Sequence, residues 1–204
     1  AVESAVDEVS KWLEEMITAA DAAAAKVGDA GGGADKIGDV GAANKGAKAD
    51  ASSVKEIAKG IKGIVDAAGK AFGGDALKDV KAAGDDNKEA GKLFAGANGN
   101  AGANAAAADD IAKAAGAVSA VSGEQILKAI VEAAGAADQA GVKAEEAKNP
   151  IAAAIGTDDA GAAEFGENDM KKNDNIAAAI VLRGVAKSGK FAANANDAGK
   201  KESV

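Results

Sequence analysis

The sequence predicts an all-α protein, an elongated helical bundle with irregular loops rich in glycine and alanine and with little or no β structure. Alanine, the best helix former, is the main contributor to the 48% of the 204 residues that are hydrophobic. Aromatic residues make up only 2% of the chain, and strand-forming residues never alternate with polar ones over the length of a strand. Large aliphatic residues instead recur at steps of three and four, which places them on one side of a helix. We expect a single domain covering residues 1–204.

The first helix is predicted from about Glu3 to Lys26, because one apolar stripe follows it. The stripe consists of Val2, Val6, Val9, Leu13, Met16 and Ile17. Three successive glycines lie in the segment from Gly28 to Gly46, which is therefore expected to form a loop or helix fragments of low stability.

A second helix is predicted from Ser53, whose hydroxyl group would form a capping box with Glu56, to a stop at Gly69. Its expected buried face is Val54, Ile57, Ile61, Ile64 and Val65. Gly60 and Gly63 lower its helix propensity by about 1 kcal/mol each relative to alanine. We therefore expect a neighbouring helix to approach closely at these two glycines.

The middle of the chain is predicted to hold short helices around Leu77–Val80 and Lys88–Ala95, and then a flexible low-complexity tip at Gly96–Ala108. The segment from Asp109 to Ala140 should form two helices, because Ser122 begins a second capping box with Gln125. The expected buried residues are Ile111, Ala115, Val118 and Val121 in the first of these helices and Ile126, Leu127, Ile130 and Val131 in the second.

An Asn-Pro pair predicts the start of a short helix at Ile151–Ile155, since proline fits the first helical position. After a loop at 157–168, the last helix should begin near Asn173 or Asp174 and end near Ser188–Gly189. Its large aliphatic residues are Ile176, Ile180, Val181, Leu182 and Val185. They cover more than half of its circumference, which predicts a central core helix.

Composition excludes several classes of function. Histidine and cysteine are absent, which removes disulfides, thiol nucleophiles, histidine-dependent triads and the usual zinc, haem and iron–sulfur ligands. The net charge of −8 argues against nucleic-acid binding and against binding to anionic membranes. No apolar run approaches the roughly 20 residues that cross a bilayer, and we expect no signal peptide within the chain.

Two short motifs resemble ligand-binding loops. Gly184 and Gly189-Lys190 have the spacing of a phosphate-binding loop, but Phe191 replaces the Ser or Thr that would reach magnesium, and a helix precedes the motif where a strand is needed. We interpret it as the end of a helix. The segment 31–35 resembles a calcium-binding nonapeptide repeat, but such repeats must recur in tandem, so we interpret it as a plain loop.

Charged clusters carry no prediction of catalysis. Adjacent carboxylates on a helix point in different directions, and acidic residues favour the first turns of helices, so we expect solvated surface and no cofactor or metal. The pairs are Asp85–Asp86, Asp109–Asp110, Glu145–Glu146 and Asp158–Asp159. The basic cluster Lys171, Lys172, Arg183, Lys187 and Lys190 could bind an anion or glycan. The favoured interpretation is that Lys187 and Lys190 stabilise a helix C-terminus.

Long strings of sequence are more specific than these motifs. They are SVKEIAKGIKGIVDAAG at Ser53–Gly69, NKEAGKLF at Asn87–Phe94, KAAGAVSAVSGEQIL at Lys113–Leu127, EAKNPIAAAIG at Glu146–Gly156 and MKKNDNIAAAIVLRGVAKSGKFA at Met170–Ala192. In these strings and their order, the chain resembles the variable, Vmp-like surface lipoproteins of Borrelia from about Ala1 to Ala193. The lipidated cysteine and the membrane-proximal flanks of that family pattern are not in this sequence, which corresponds to the cassette region.

The resemblance implies a lipoprotein at the bacterial cell surface, held in the outer membrane by a lipid anchor outside this chain, with host antibodies as partners. The strings would be an invariant scaffold, and the stretches between them would vary and so evade antibodies. The strongly antigenic invariant segment would include Met170, Lys171, Lys172, Ile176, Ile180, Leu182, Arg183, Val185, Lys187, Lys190 and Phe191. Variable-loop positions would include Gly31, Gly32, Gly33, Asp85, Asp86, Asn98, Asn100, Asn104, Asp158 and Asp159.

Two other functions stay open beside this one. An adhesin could bind a host ligand through the basic cluster between residues 171 and 190, although the net charge of −8 weighs against it. An enzyme is the third alternative, but the sequence offers no residue set for it. If the last helix is a core helix, antibodies to Met170–Ala193 should bind the free peptide far better than the folded protein.

Overall fold

The computed structural model describes residues 2–27, 45–71, 73–98, 106–137 and 139–193. Its α-helices are α1 Val2–Ala24, α2 Ala51–Ala71, α3 Ala108–Ser119, α4 Gly123–Gly135, α5 Pro150–Ile155 and α6 Asn173–Val185. In the described part of the chain, 3₁₀ helices lie at Lys88–Phe94, Ala144–Glu146 and Asp169–Lys171. Within the described ranges, β pairing is limited to isolated bridges, such as the one between Ala47 and Lys190. The predicted all-α class is confirmed.

Helix α6 lies at the centre of the bundle and packs against α3, α4 and α5. One side of α6 contributes Ile176 and Ala179 to a cluster that contains the three rings of Phe94, Phe165 and Phe191. Its other side contributes Ala178 and Leu182 to an aliphatic cluster formed by residues of α2, α4 and α5. The prediction of a central core helix is therefore confirmed.

Helix α2 begins two residues earlier than predicted. Asp50 precedes the helix, and its Oδ1 accepts a hydrogen bond from the backbone N–H of Ser53 at 2.7 Å, which is the role of an N-cap side chain. Ser53 is buried inside the first turn, where its Oγ donates to the carbonyl of Lys26 and accepts from the N–H of Lys187 at 3.0 Å. The predicted capping box at Ser53 is therefore wrong, and the helix continues past Gly69 to Ala71.

Helix α1 packs on α2 at the two glycines where a close approach was predicted. A Cβ atom added to Gly60 would collide with the Cβ of Ala23 and would lie 2.8 Å from the carbonyl oxygen of Ala19. A Cβ atom on Gly63 would lie 2.9 Å from the Cβ of Ala19. The predicted close approach is confirmed, although α1 itself has no buried residue.

Helices α3 and α4 meet where Ser122 and Gln125 form the predicted reciprocal cap, with the N–H of Ser122 donating to Oε1 of Gln125 at 2.9 Å. Their buried faces differ from the prediction because small residues take the buried positions. The buried residues are Asp110, Ile111, Ala114 and Ala117 in α3 and Ala129, Ile130 and Ala133 in α4. Val118 and Leu127, predicted to be buried, are exposed.

The remaining predictions concern helix ends. Asn149 caps α5 through its side chain, and Pro150 takes the first helical position, as predicted. Helix α6 begins at Asn173 as predicted but ends at Val185, three residues early, because Ala186 has extended backbone angles and forms a bridge with Val27. Residues 76–79 form turns where a short helix was predicted. Among the helices of the described ranges, none combines the length and the hydropathy needed to span a membrane.

Candidate functional site

The segment that the sequence singles out as antigenic is largely hidden in the fold. Helix α6 buries eight of its 13 residues, and all six residues of α5, which packs against it, are buried. Runs of alanine in both helices let the backbones approach closely while filling little volume. Fully burying a side chain such as Ile176 or Leu182 contributes about 1.5–3 kcal/mol. The two helices are therefore scaffold.

Polar side chains fix the N-terminal end of α6. The side chain of Asn173 accepts a hydrogen bond from Nδ2 of Asn87 at 2.9 Å, and its N–H donates to the carbonyl of Gly84 at 2.7 Å. Oδ2 of Asp174 accepts from the N–H of Ala83 at 3.1 Å. These buried groups hold the loop around residues 83–87 against α6, and no signal in the sequence predicted this role for Asn87.

Arg183 is the largest fully buried side chain among the described residues. Its Nε donates to the carbonyl of Ala154 at 3.0 Å and its Nη2 to the carbonyl of Ile155 at 3.4 Å, so the guanidinium caps the C-terminal end of α5. Its Cζ also lies 4.9 Å from the centroid of the Phe94 ring, in a cation–π contact. Burial lowers the pKa of Arg183 to about 9. The guanidinium is still protonated at neutral pH, because this pKa lies above neutrality.

The predicted basic cluster is therefore corrected, because Arg183 is inaccessible to any ligand. Nζ of Lys171 donates a hydrogen bond to Oδ1 of Asn168 at 3.4 Å. Nζ of Lys172 lies 2.7 Å from Oδ1 of Asp169, and this ion pair raises the pKa of Lys172. Lys187 is exposed. With Arg183 buried and Lys172 engaged by Asp169, fewer cations of this cluster are available to a ligand, which weakens the adhesin hypothesis.

The phosphate-loop motif has no phosphate-binding geometry. It begins within the last turn of helix α6, and Ser188 within it adopts a left-handed φ of 65°. A Cβ atom on Gly189 would lie 2.5 Å from the carbonyl of Arg183, so the chain turns back against the end of α6. Phe191 then enters the aromatic cluster, where its ring lies 5.7 Å from that of Phe94 and nearly perpendicular to it. The interpretation as a helix ending is supported, but the ending comes earlier than predicted.

Most of the described variable-loop positions lie at the surface. Asp85, Asp86, Asn98 and Asp159 are exposed, and Asp158 is half-buried in an ion pair with Lys48 at 2.7 Å. The hydroxyl of Thr157 lowers the pKa of Asp159 most, and the backbone N–H of Asp159 and the charge of Lys143 lower it further. Gly31, Gly32, Gly33, Asn100 and Asn104 lie outside the described residues.

Two of these loops are joined through their backbones. The N–H of Gly96 donates to the carbonyl of Ala160 at 2.8 Å, and that of Asn98 donates to the carbonyl of Asp158 at 2.7 Å. A Cβ atom on Gly96 would collide with the carbonyl of Thr157, so glycine permits this approach. Because main-chain groups make both bonds, the side chains of Asn98 and Asp158 can change without breaking the connection.

The acidic pairs form no cation site in the described part of the chain, where no three acidic residues converge on one point. Asp110 departs from the prediction of solvated surface. It is only 7% exposed, accepts from Nζ of Lys92 at 3.0 Å, and accepts from the N–H of Ala107 at 2.9 Å. Asp110 is therefore a capping residue of α3, while Asp109, Glu145 and Glu146 are exposed as predicted.

Comparison with known proteins gives concordant matches. The sequence profile of the family described as "Borrelia lipoprotein" matches residues 1–204. Variable large protein 4 of Borrelia hermsii is 37% identical over 145 residues, which cover 71% of this chain and 40% of that protein. Variable large protein 25 of the same organism is 35% identical over 168 residues, covering 80% of this chain and 44% of that protein. The chain thus spans less than half of these relatives.

A solved structure extends the match to the fold. The crystal structure of the Lyme disease variable surface antigen VlsE of Borrelia burgdorferi is 55% identical in sequence and superposes with a TM-score of 0.81. The match covers 98% of this chain and 65% of the VlsE chain.

Proposed function

This chain belongs to the Borrelia lipoprotein family, and we propose from that premise that it evades host antibodies by varying its exposed loops over a constant buried scaffold. The curated relatives and the solved structure are described as variable proteins or as a variable surface antigen. The proposal places the molecule at the outer membrane, where a lipid anchor outside these 204 residues holds it and host antibodies bind it. It assigns no catalytic role to any residue.

One contrast supports the proposal most directly. Helix α6 buries eight of its 13 residues, whereas Asp85, Asp86, Asn98 and Asp159 are all exposed. A substitution in the core removes or adds packing volume and costs about 1–5 kcal/mol, whereas a surface substitution changes stability by less than about 0.5 kcal/mol. Loops can therefore change repeatedly while the fold persists.

The way the two loops are joined supports the proposal that such variation is compatible with one fold. The bonds from Gly96 to Ala160 and from Asn98 to Asp158 involve only main-chain atoms. The side chains beside them determine what an antibody contacts, since hydrogen-bond donors, acceptors and charges at a surface determine recognition. Variation at these positions would alter the antigenic surface without moving the loops.

Alleles of this chain from one infecting population provide the test. Substitutions should concentrate at exposed loop positions and avoid the buried positions of α5 and α6. An equal frequency of substitution in both sets would contradict the proposal.

A binding experiment provides a second test. Antiserum raised against the native chain should lose several-fold of its binding to a variant with Asp85, Asp86, Asn98 and Asp159 changed to serine. The matched control changes Glu124 and Lys148, which are exposed outside these loops, to serine. Because all six positions are exposed, both variants should stay within about 0.5 kcal/mol of the parent in unfolding free energy. An unchanged titre with the loop variant would count against the proposal.

A further inference from the structure

The loop at residues 81–86 is attached to three helices through its main chain. Nε2 of Gln125 on α4 donates a hydrogen bond to the carbonyl of Lys81 at 2.9 Å. Nζ of Lys113 on α3 donates to the carbonyl of Asp86 at 3.2 Å. These two side chains therefore bind the first and the last residue of the loop.

Helix α6 binds the middle of the same loop. Oδ2 of Asp174 accepts a hydrogen bond from the N–H of Ala83. The N–H of Asn173 donates to the carbonyl of Gly84. Asp174 and Asn173 are both buried, and a hydrogen bond shielded from water is stronger than an exposed one. Four of the six loop residues are thus bound through main-chain atoms.

The side chains of this loop are mostly directed to solvent. Its exposed residues are Lys81, Ala82, Gly84, Asp85 and Asp86. A Cβ atom added to Gly84 would meet nothing within 4 Å, so a larger residue fits there as well. The turn before the loop differs, because the side chain of Leu77 is buried and anchors that turn.

We infer that Gln125, Lys113 and Asp174 form a main-chain clamp, which presents loop 81–86 to antibodies in one conformation whatever side chains the loop carries. The inference rests on the proposed function, since it explains how a changing loop keeps its place. Every residue has a main-chain carbonyl, and every residue except proline has an N–H. A clamp that binds these groups therefore holds loops of different sequence equally well. The three clamp residues are positioning residues, because they act through the loop.

Trypsin provides the first probe of the clamp, because cleavage after Lys81 needs access to the carbonyl that Gln125 binds. The rate of cleavage follows the population of the opened loop when opening is fast relative to cleavage. Mass spectrometry of the native chain during brief digestion would measure this rate at the Lys81–Ala82 bond. Hydrogen exchange at the amide of Ala83 measures the same opening without a protease.

A double variant releases the clamp while the loop sequence stays the same. Changing Gln125 to glutamate removes the donor to the loop but keeps the oxygen that caps Ser122, so α4 keeps its cap. Changing Lys113 to methionine removes the second donor and keeps the aliphatic chain. Each lost hydrogen bond should raise the opened population about two- to tenfold. Cleavage after Lys81 and exchange at Ala83 should therefore both be about tenfold faster than in the parent.

Two control variants separate the clamp from charge and from general stability. Changing the exposed Lys148 to glutamate alters the net charge by −2, as the double variant does, but leaves both donors in place. Changing Lys113 to arginine keeps a donor for the carbonyl of Asp86. Both controls should stay within about twofold of the parent in cleavage and exchange. Circular dichroism would verify that all variants keep the helical content of the parent.

A change of loop sequence tests whether the clamp acts independently of the side chains. Changing Ala82, Asp85 and Asp86 to serine should leave cleavage after Lys81 and exchange at Ala83 within about twofold of the parent, because every clamp bond remains.

Antibodies then connect the clamp to recognition. Loop-specific antibodies are those that bind the parent and lose binding when Asp85 and Asp86 are changed to serine. They should bind the double variant about threefold or more weakly, although its loop side chains are unchanged, because a loosened loop must be ordered on binding.

Two outcomes would overturn the clamp. One is a double variant that is cleaved and exchanges like the parent. The other is a serine loop that opens as much as the double variant, since the side chains of the loop would then hold it. A complete lack of loop-specific antibodies would instead overturn the proposed function, and with it the antigenic role of the clamp.

Discussion

Helices α1 and α6 are both rich in large aliphatic residues, but they lie in opposite environments. Helix α1 has 23 residues with a regular apolar stripe and buries none of them, whereas α6 has 13 residues and buries eight. Helix α6 also buries the charged group of Arg183, while α1 leaves Leu13 half in water. Apolar periodicity shows which side of a helix seeks burial, and the number of packed neighbours decides whether burial occurs.

The largest expected effect separates the two helices by antibody binding. Antibodies raised against the peptide Met170–Ala193 should bind the free peptide about a thousandfold more tightly than the folded chain, because binding α6 requires opening of the core. Antibodies raised against the peptide Val2–Ala20 should bind the folded chain and the peptide within about tenfold of each other, since α1 is exposed. Surface plasmon resonance on the native chain would measure both. Equal binding of the first antibody to peptide and native chain would refute the burial of this segment in solution.

The next largest effect is the removal of the buried guanidinium. Changing Arg183 to alanine should lower the free energy of unfolding by about 3–5 kcal/mol, because it leaves a cavity and strands the carbonyls of Ala154 and Ile155. The matched control changes the exposed Lys187 to alanine and should cost less than about 0.5 kcal/mol. Urea denaturation would measure both values. A loss at Arg183 as small as that at Lys187 would show that the cap on α5 is dispensable.

Local signals predicted much of the fold correctly. The capping pair of Ser122 and Gln125 and the Asn149–Pro150 start of α5 depend on neighbouring residues, so the sequence alone suffices to find them. The error at Ser53 has a tertiary cause. That hydroxyl bonds to the backbone of Lys26 and Lys187, which are distant in sequence, and Asp50 takes over the cap.

The site was harder to predict than the helices. The sequence grouped Arg183 with nearby lysines because charge usually indicates surface. Its burial depends on α5 presenting unpaired carbonyls and on Phe94 presenting a ring face, and both come from remote parts of the chain. Likewise, the sequence predicted that Val118 would be buried. It is exposed because the alanines at neighbouring positions take the buried places of α3.

A smaller effect tests how α1 is attached. Changing Gly60 to valine should cost about 1–3 kcal/mol, because its Cβ would collide with Ala23 and push α1 outward. The control changes Gly123 to valine, where nothing lies within 4 Å of the added Cβ. In hydrogen exchange, the Gly60 variant should lose protection in α1 and keep it in α6. Equal exchange in the two variants would indicate that α1 does not depend on this contact.

The smallest effect concerns the ion pair that joins α1 to α2 at the surface. Nζ of Lys70 lies 2.8 Å from Oε2 of Glu15, and this hydrogen bond lowers the pKa of Glu15 below its ordinary value. A carboxyl group with a lowered pKa in the folded state stabilises the fold above its unfolded pKa, and the contribution is lost as the pH falls through the folded value. The pairing of α1 with α2 should therefore weaken in acid, by a small amount because the pair is exposed.

Carbon-detected NMR titration of Glu15 would measure this effect. Changing Lys70 to methionine should raise the pKa of Glu15 towards its ordinary value. Changing Lys59, which pairs with Glu56 within α2, to methionine should leave the pKa of Glu15 unchanged. Identical titration of Glu15 in all three proteins would contradict the ion pair. A shift would show that α1 is held on one side by small residues and one surface charge pair.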